Sequence, residues 1–314
     1  MLRFVLNRFI TAIPLLIFIS VLSFSLTYLA PGDPAELIMQ SPDGGYDAKS
    51  VEEFRARVGL DQPVHIRYTQ WLSKALKGDL GVSYATGQTV IAAIFESFWP
   101  TCKLSLFSFM IALMISIPLG ILSAIKRESF IDKIGIIISI TGASVPNFWF
   151  AYMLLIIFSV KLGWLPVSGY GDSGDLAHIL LPSVTLGISS AAIMSRMLRA
   201  SMLEVLSQDY ITAAISRGLP DRSIILKHSL RNALIPIVTI AGLNLGYLLN
   251  GSVVIETIFN WPGIGRLMVT SIYQRDYPMI QGCMLFVAIM FVVINLIVDV
   301  LYCYLNPGIR YGTK

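Results

Sequence analysis

Six long apolar stretches restrict this chain to one class of fold. They run over residues 9–29, 104–125, 134–160, 179–197, 233–255 and 281–305. At 1.5 Å of rise per residue, about 20 apolar residues in a helix cross the roughly 30 Å hydrocarbon core of a bilayer. Charged residues make up only 13% of the chain, against roughly 25% in soluble domains, so there is too little polar surface to dissolve it in water. The expectation is an all-α polytopic membrane protein with six transmembrane helices. The first stretch reads as a retained span, because the residues after it, Leu29-Ala30-Pro31-Gly32-Asp33-Pro34, place prolines where a signal peptidase would cut. The predicted divisions are 1–30 for the N-terminal tail and first span, 31–103 for an external cap, and 104–314 for a core of five spans.

Orientation follows from where Lys and Arg flank the spans. Arg3 and Arg8, the loop Lys126–Lys133, Arg196, Arg199, Arg217, Arg222, Lys227, Arg231, Arg310 and Lys314 all fall on one side. That side has thirteen Lys and Arg against five Asp and Glu; the other has ten against thirteen, with Asp299 inside a span. The basic side is predicted to be cytoplasmic and to hold both termini. The polar region 31–103 is then external. Within it, Ala48–Val58 and Tyr68–Leu76 are predicted as short helices, the second with Tyr68, Trp71, Leu72 and Ala75 on one stripe. Such a cap either packs on the membrane domain or receives a protein that delivers substrate.

The cytoplasmic loop 201–232 is long for a turn between spans. Asp209, Tyr210, Thr212, Ala213, Ala214 and Arg217 lie in a helix-prone segment that stops at Gly218 and Pro220. The two alanines offer a shallow spot for a partner surface, and Arg217 a charge at its edge; the plain alternative is a loop helix that touches nothing. A second short helix, capped by Asp221 and running through Ile224, Ile225 and His228, is expected to return the chain to the membrane.

No catalytic signature accompanies this architecture. The sequence contains no Gly-x-x-x-x-Gly-Lys-Ser/Thr loop, no His-Glu-x-x-His pair and no Gly-x-Ser-x-Gly elbow, so no ATP hydrolysis or hydrolase chemistry is expected of this chain. The three cysteines and three histidines are scattered, and no metal site or cofactor is expected. No nucleic-acid partner is expected; membrane lipid is.

Irregular features inside and beside the spans mark a possible pathway. Pro14, Pro118, Pro146 and Pro236 each remove an amide donor and favour kinks. Asn147, Asn244 and Asn250 are polar groups at membrane depth, which either tie helices together or line a passage. Gly242 and Gly246 fit the small-xxx-small packing pattern, within the subunit or against a second one. Beyond the fifth span, Trp261, Gly263, Gly265 and Arg266 belong to an external segment. There Trp261 is expected to anchor at the interface, the two glycines to allow a tight re-entry, and Gly265–Gln274 to form a short helix. That segment reads either as a plug of irregular backbone or as an external gate.

Thr212-Ala213-Ala214, Gly218 and Leu234-Ile235-Pro236 together resemble the EAA loop with which permease subunits of binding-protein-dependent ABC importers grip their ATPase. Thr212 stands where that motif has Glu, and the gap from Gly218 to Pro236 is longer, as in the peptide/nickel branch. The resemblance continues in Gly59-Leu60-Asp61-Gln62-Pro63, Gly78-Asp79-Leu80-Gly81, Asn260-Trp261-Pro262-Gly263-Ile264-Gly265-Arg266 and Asn306-Pro307. It implies a type I importer permease fold (MetI-like) in a bacterial inner membrane, similar to the dipeptide, oligopeptide, nickel and glutathione permeases. It also implies a second homologous permease chain, two cytoplasmic ATPase subunits carrying ATP and Mg, and an extracytoplasmic substrate-binding protein. Short peptides are the first expected cargo, with nickel or a metal chelate and glutathione as alternatives. The competing readings are an ion-coupled secondary transporter and a membrane scaffold.

Overall fold

The computed structural model describes residues 2–29, 47–59, 61–172, 174–249 and 253–305. Asn250, Leu60, Asn306-Pro307, residue 30 and residues 31–46 of the predicted cap lie outside them. In chain order the helices are α1 (Leu2–Leu29), α2 (Ala48–Val58), α3 (Val64–Ala75), α4 (Val90–Ile125), α5 (Phe130–Ser144), α6 (Asn147–Lys161), α7 (Leu176–Leu206), α8 (Asp209–Ser216), α9 (Asp221–Leu249), α10 (Val253–Ile258), α11 (Ile264–Tyr273) and α12 (Tyr277–Leu305). Among the described residues, α4, α7, α9 and the stretch Tyr277–Val300 of α12 are long and apolar enough to cross a membrane. The pair α5–α6 is long and apolar enough only when its two bent helices are taken together, and α1 adds the shorter apolar stretch Ile10–Ser25.

The predicted third span, 134–160, is corrected by the structure: α5 and α6 meet at a bend of 103°. The cause is local. Val145 precedes a proline, which disfavours the α region, and it sits at ψ 126°. Its N–H still bonds Thr141 O at 3.0 Å, but Pro146 has no donor to continue the ladder. Pro14, Pro118 and Pro236 stay inside continuous helices. The predicted second loop helix is likewise corrected. Residues 221–249 form one helix, so this segment is the first part of the fifth span, and its N-cap is Pro220 rather than Asp221. Within it, Ile224–Ser229 winds as a π-helix, as does Leu155–Lys161 in α6.

The chain divides into two compact units, with the divisions inside α4, between α10 and α11, and inside α12. One comprises residues 2–99 and 263–292. Its core joins Val90, Ala93 and Ile94 to Met279 and Cys283. Buried Asp276 closes it: the Ser83 hydroxyl and the Tyr84 amide (3.2 Å) donate to its carboxylate, and the Met279 amide caps α12 on it. Removal from water pushes the Tyr84 phenol up to about 12. In α3 the predicted stripe is half-buried, and Tyr68 packs edge-on against Phe24 of α1 at 5.5 Å. The Tyr68 hydroxyl also meets Ser20 Oγ at 2.8 Å.

The other unit comprises residues 100–262 and 293–305 of the described chain, and α7 is its axis. In the most apolar window of α7, 56% of residues are buried, against 33% or less in the other three long helices, so α7 is interior. Small residues let its neighbours approach. A Cβ on Gly187 would lie 2.8 Å from Ile111 and 2.9 Å from the Ser108 carbonyl of α4, and one on Gly142 of α5 3.2 Å from Ala192. The Gly242/Gly246 pattern is satisfied within the subunit: Val298 and Ile294 of α12 each approach to 2.8 Å of the position a Cβ would take.

Candidate docking site and cargo passage

The segment 209–218 folds as its sequence predicts, and two adjacent positions turn out to face opposite ways. In α8 the periodicity turns Ile211 and Ala214 inward, where they pack with Ile224 of α9 and Leu206. Thr212, Ala213 and Arg217 stay exposed. Only Ala213 of the alanine pair is therefore exposed. Tyr210 is 43% exposed, and its hydroxyl accepts a 2.8 Å bond from Asn232 Nδ2, tying α8 to the start of the fifth span. Asp209, in the first turn, places a negative charge at the positive end of the helix.

Gly218 ends α8 in a left-handed conformation, at φ 73°. The Leu219 amide bonds Ala214 O at 3.3 Å and the Gly218 amide bonds Ile215 O at 2.9 Å, the two bonds of a Schellman cap. A Cβ at this position would meet nothing within 4 Å. Gly218→Ala is therefore expected to cost about 1 kcal/mol, from backbone conformation alone. Unfolding of the detergent-solubilised protein should barely move. A loss of 3 kcal/mol or more, by the ~1–2 kcal/mol scale of the left-handed penalty, would show a hidden steric role.

The asparagines separate by role. Asn147 opens α6 just after the break, half-buried, and Ser189 of α7 donates to its side-chain oxygen. It is thus an interhelical tie. Asn244 Nδ2 donates to Ile240 O of its own helix at 3.1 Å. In the segment after α10, Trp261 is fully buried, donates Nε1–H to Pro100 O at 2.9 Å and meets Tyr170 edge-on at 4.7 Å. Protein encloses this indole, where the sequence had pointed to a membrane interface. The tight turn is made by Asn260 at φ 54°, while Gly263 is extended at φ −90° and Gly265 lies inside α11, buried, with Arg266 half-buried beside it.

Sequence reasoning missed three buried polar ties. Asp132, 2% exposed, receives Arg199 Nε and Nη2 at 2.7 Å each, joining the start of α5 to α7. Thr101 Oγ1 donates to fully buried Glu256 at 3.0 Å. The third is Ser83 on Asp276. A signal existed only for the first, in Ser129-Phe130-Ile131-Asp132, which reads as a capping pattern, and Ser129 Oγ does accept from the Asp132 amide at 3.4 Å. In the loop before α7, the backbone amide and ring of His178 bond the Asp175 carboxylate and hold it below the usual carboxylate range.

Comparison with known proteins decides the family. Residues 116–311 match the family described as binding-protein-dependent transport system inner membrane component, and residues 1–106 match the N-terminal region of such membrane components. The chain belongs to this family. The permease is 44% identical over 311 residues to the glutathione transport system permease protein GsiC of Salmonella choleraesuis (strain SC-B67), covering 99% of this chain and 100% of that one. The same figures hold for GsiC of Escherichia coli (strain K12). In fold, the permease is similar to structures of the MetNI methionine ABC transporter in inward-facing conformations. Their TM-scores are 0.55 and 0.57 at 18% and 20% identity, with 69% and 68% of this chain and 97% and 96% of those chains covered. It is thus a multi-pass inner-membrane permease of the peptide/nickel/glutathione family of ABC importers, and as such a translocation subunit rather than a catalyst.

Proposed function

We propose that this permease imports glutathione or closely related short peptides into a bacterial cell, driven by ATP hydrolysis on separate subunits. The 44% identity across the full length of a glutathione transport system permease supports this reading most directly. In the proposed assembly the chain pairs with a second, homologous permease and receives cargo from an extracytoplasmic binding protein through the external side, where Trp261, Gly263, Gly265 and Arg266 lie. Two cytoplasmic ATPase subunits, which carry the ATP and Mg, grip the exposed face of α8 at Asp209, Tyr210, Thr212, Ala213, Arg217 and Gly218. This chain itself holds no cofactor. Both termini and α8 are cytoplasmic in this reading, as the Lys and Arg distribution requires.

The fastening of α8 supports a mechanical role. Its anchor residues Ile211 and Ala214 pack on Ile224, inside the helix that continues as the fifth span, and Tyr210 is bonded to Asn232 of the same helix. A displacement of α8 by closing ATPase subunits is then passed to a membrane helix through buried contacts, without a slack linker between. Alternation between external and cytoplasmic access follows from that displacement and its reversal on hydrolysis.

The test is uptake into proteoliposomes holding both permeases and the ATPases, with the binding protein outside and ATP inside. Glutathione uptake should require both ATP and the binding protein. Uptake by this chain alone under an ion gradient would contradict the importer reading, and uptake of a nickel chelate in place of glutathione would move the cargo to another branch of the family.

A further inference from the structure

Contacts along α7 form an antiparallel ladder with α5 and α6: Arg199 on Asp132, Ser195 Oγ with Ser139 Oγ at 2.9 Å, Ala192 against Gly142, and Ser189 on Asn147. On the opposite side Ser201 Oγ donates to Ala233 O of α9 at 3.0 Å, and α4 closes on Gly187. One sector of α7 remains. At about 100° per residue, Ile179, Pro182, Thr185, Leu186, Ser189, Ile193, Arg196, Met197, Ala200 and Glu204 share it. The first four are buried, and Ile179 and Leu186 belong to the cluster around Trp261. From half-buried Ser189 onward the sector opens: Ile193, Arg196, Met197, Ala200 and Glu204 are all exposed. The most enclosed helix of the unit is thus sealed along one half of this stripe and open along the other, beginning at the Asn147 tie.

Arg196 is the one cation on the open stripe. Its neighbour Arg199 is neutralised by Asp132, whereas Arg196 has no ion-pair partner among the described residues. Glu204 lies two turns farther along the same helix, about 12 Å away by helical rise, beyond pairing distance. Arg196 lies at the basic, predicted cytoplasmic end of the span, where an exposed guanidinium on an otherwise enclosed helix is open to water and solute. A guanidinium presents its donors in a planar fork that fits a carboxylate.

We propose that this stripe is a wall of the cargo passage on its cytoplasmic side and that Arg196 reads the carboxylate of a peptide-type cargo on its way out. The inference rests on the importer reading above and adds to it a specificity residue.

The experiment uses the complete complex in proteoliposomes with glutathione as the probe, comparing Arg196→Lys, Arg196→Gln and Arg196→Glu. The initial uptake rate should fall about tenfold in the Gln variant, the scale of one charged hydrogen bond, and further in the Glu variant, while Lys keeps most of it. The thermal midpoint and the assembly of the complex should stay unchanged, because α8 and the Asp132–Arg199 pair are untouched. Each measurement is made in phosphatidylcholine alone and with phosphatidylglycerol added. A loss seen only with the anionic lipid assigns Arg196 to a headgroup phosphate and overturns the proposal. So does an equal loss in the Lys, Gln and Glu variants, which would indicate a contact with the second permease. Undiminished uptake in the Gln and Glu variants overturns this inference and leaves the importer intact. Failure of the wild-type complex to import glutathione overturns the cargo assignment and this inference with it.

Discussion

Replacing Arg199 with alanine should destabilise the permease by about 3 kcal/mol, the low end of what breaking a buried ion pair costs. Asp132 is 2% exposed, and each of its oxygens takes one guanidinium donor; with the partner gone, Oδ2 keeps only the Glu128 amide at 2.9 Å and Oδ1 loses the Arg199 bond, leaving a poorly compensated carboxylate between α5 and α7. The low end applies because the Arg199 side chain is 24% exposed, so water already screens part of the attraction. Arg199→Lys should recover part of the loss, since it keeps the charge and gives up the two-pronged geometry. Thermal unfolding in detergent, following the fluorescence of the tryptophans, reads both variants. Equal midpoints for wild type and Arg199→Ala would show that the pair contributes nothing.

Truncating Ile211 to alanine should act through a different route. This side chain is 1% exposed and is the larger of the two buried α8 residues, with Ala214, that hold α8 to the rest of the subunit. Its loss should cost about 2–4 kcal/mol. Because α8 is a short helix with one small anchoring cluster, the cost should be felt as local release of α8 rather than as unfolding of the spans. The thermal midpoint should therefore change little, whereas ATP-driven uptake should fall more than tenfold, since a docking surface that is rarely in place transmits little motion. Normal uptake would mean that the helix is held by contacts other than this cluster.

Wherever one local rule governed the outcome, the sequence alone was enough to read it. The helix–Gly–Pro pattern placed α8 and its left-handed end, because Gly218 is needed for a conformation that other residues resist. Asp47 and Gly59 bracket α2 at the predicted residues for the same kind of reason. Apolar length located the long apolar helices, though not their ends: α9 begins well before residue 233, since polar residues extend a helix without leaving a hydropathy signal, and α4 begins well before residue 104, running unbroken through Glu96, Pro100 and Lys103. The break at Val145-Pro146 was present in the sequence as a proline, but so were Pro14, Pro118 and Pro236, which sit in unbroken helices. Which proline breaks a span depends on packing around it. Pairings distant in sequence, such as Asp132 with Arg199 or Thr101 with Glu256, follow from tertiary arrangement and had no counterpart in spacing. The same holds for the opposite facing of Ala213 and Ala214, which the motif treats as a pair and the burial of Ile211 separates.

That separation supplies the most direct measurement on the central proposal, that α8 is the handle by which an ATPase moves this permease. Single cysteines at Ala213 and Ala214 are introduced into a variant lacking Cys102, Cys283 and Cys303, and the assembled complex is treated with a short bifunctional thiol reagent. The account predicts that Ala213→Cys links to an ATPase subunit in high yield and that Ala214→Cys does so weakly or not at all, because its side chain faces Ile211 and Ile224. Linkage from neither position in an active, intact complex would contradict the docking role of α8, and equal linkage from both would contradict the orientation described for it.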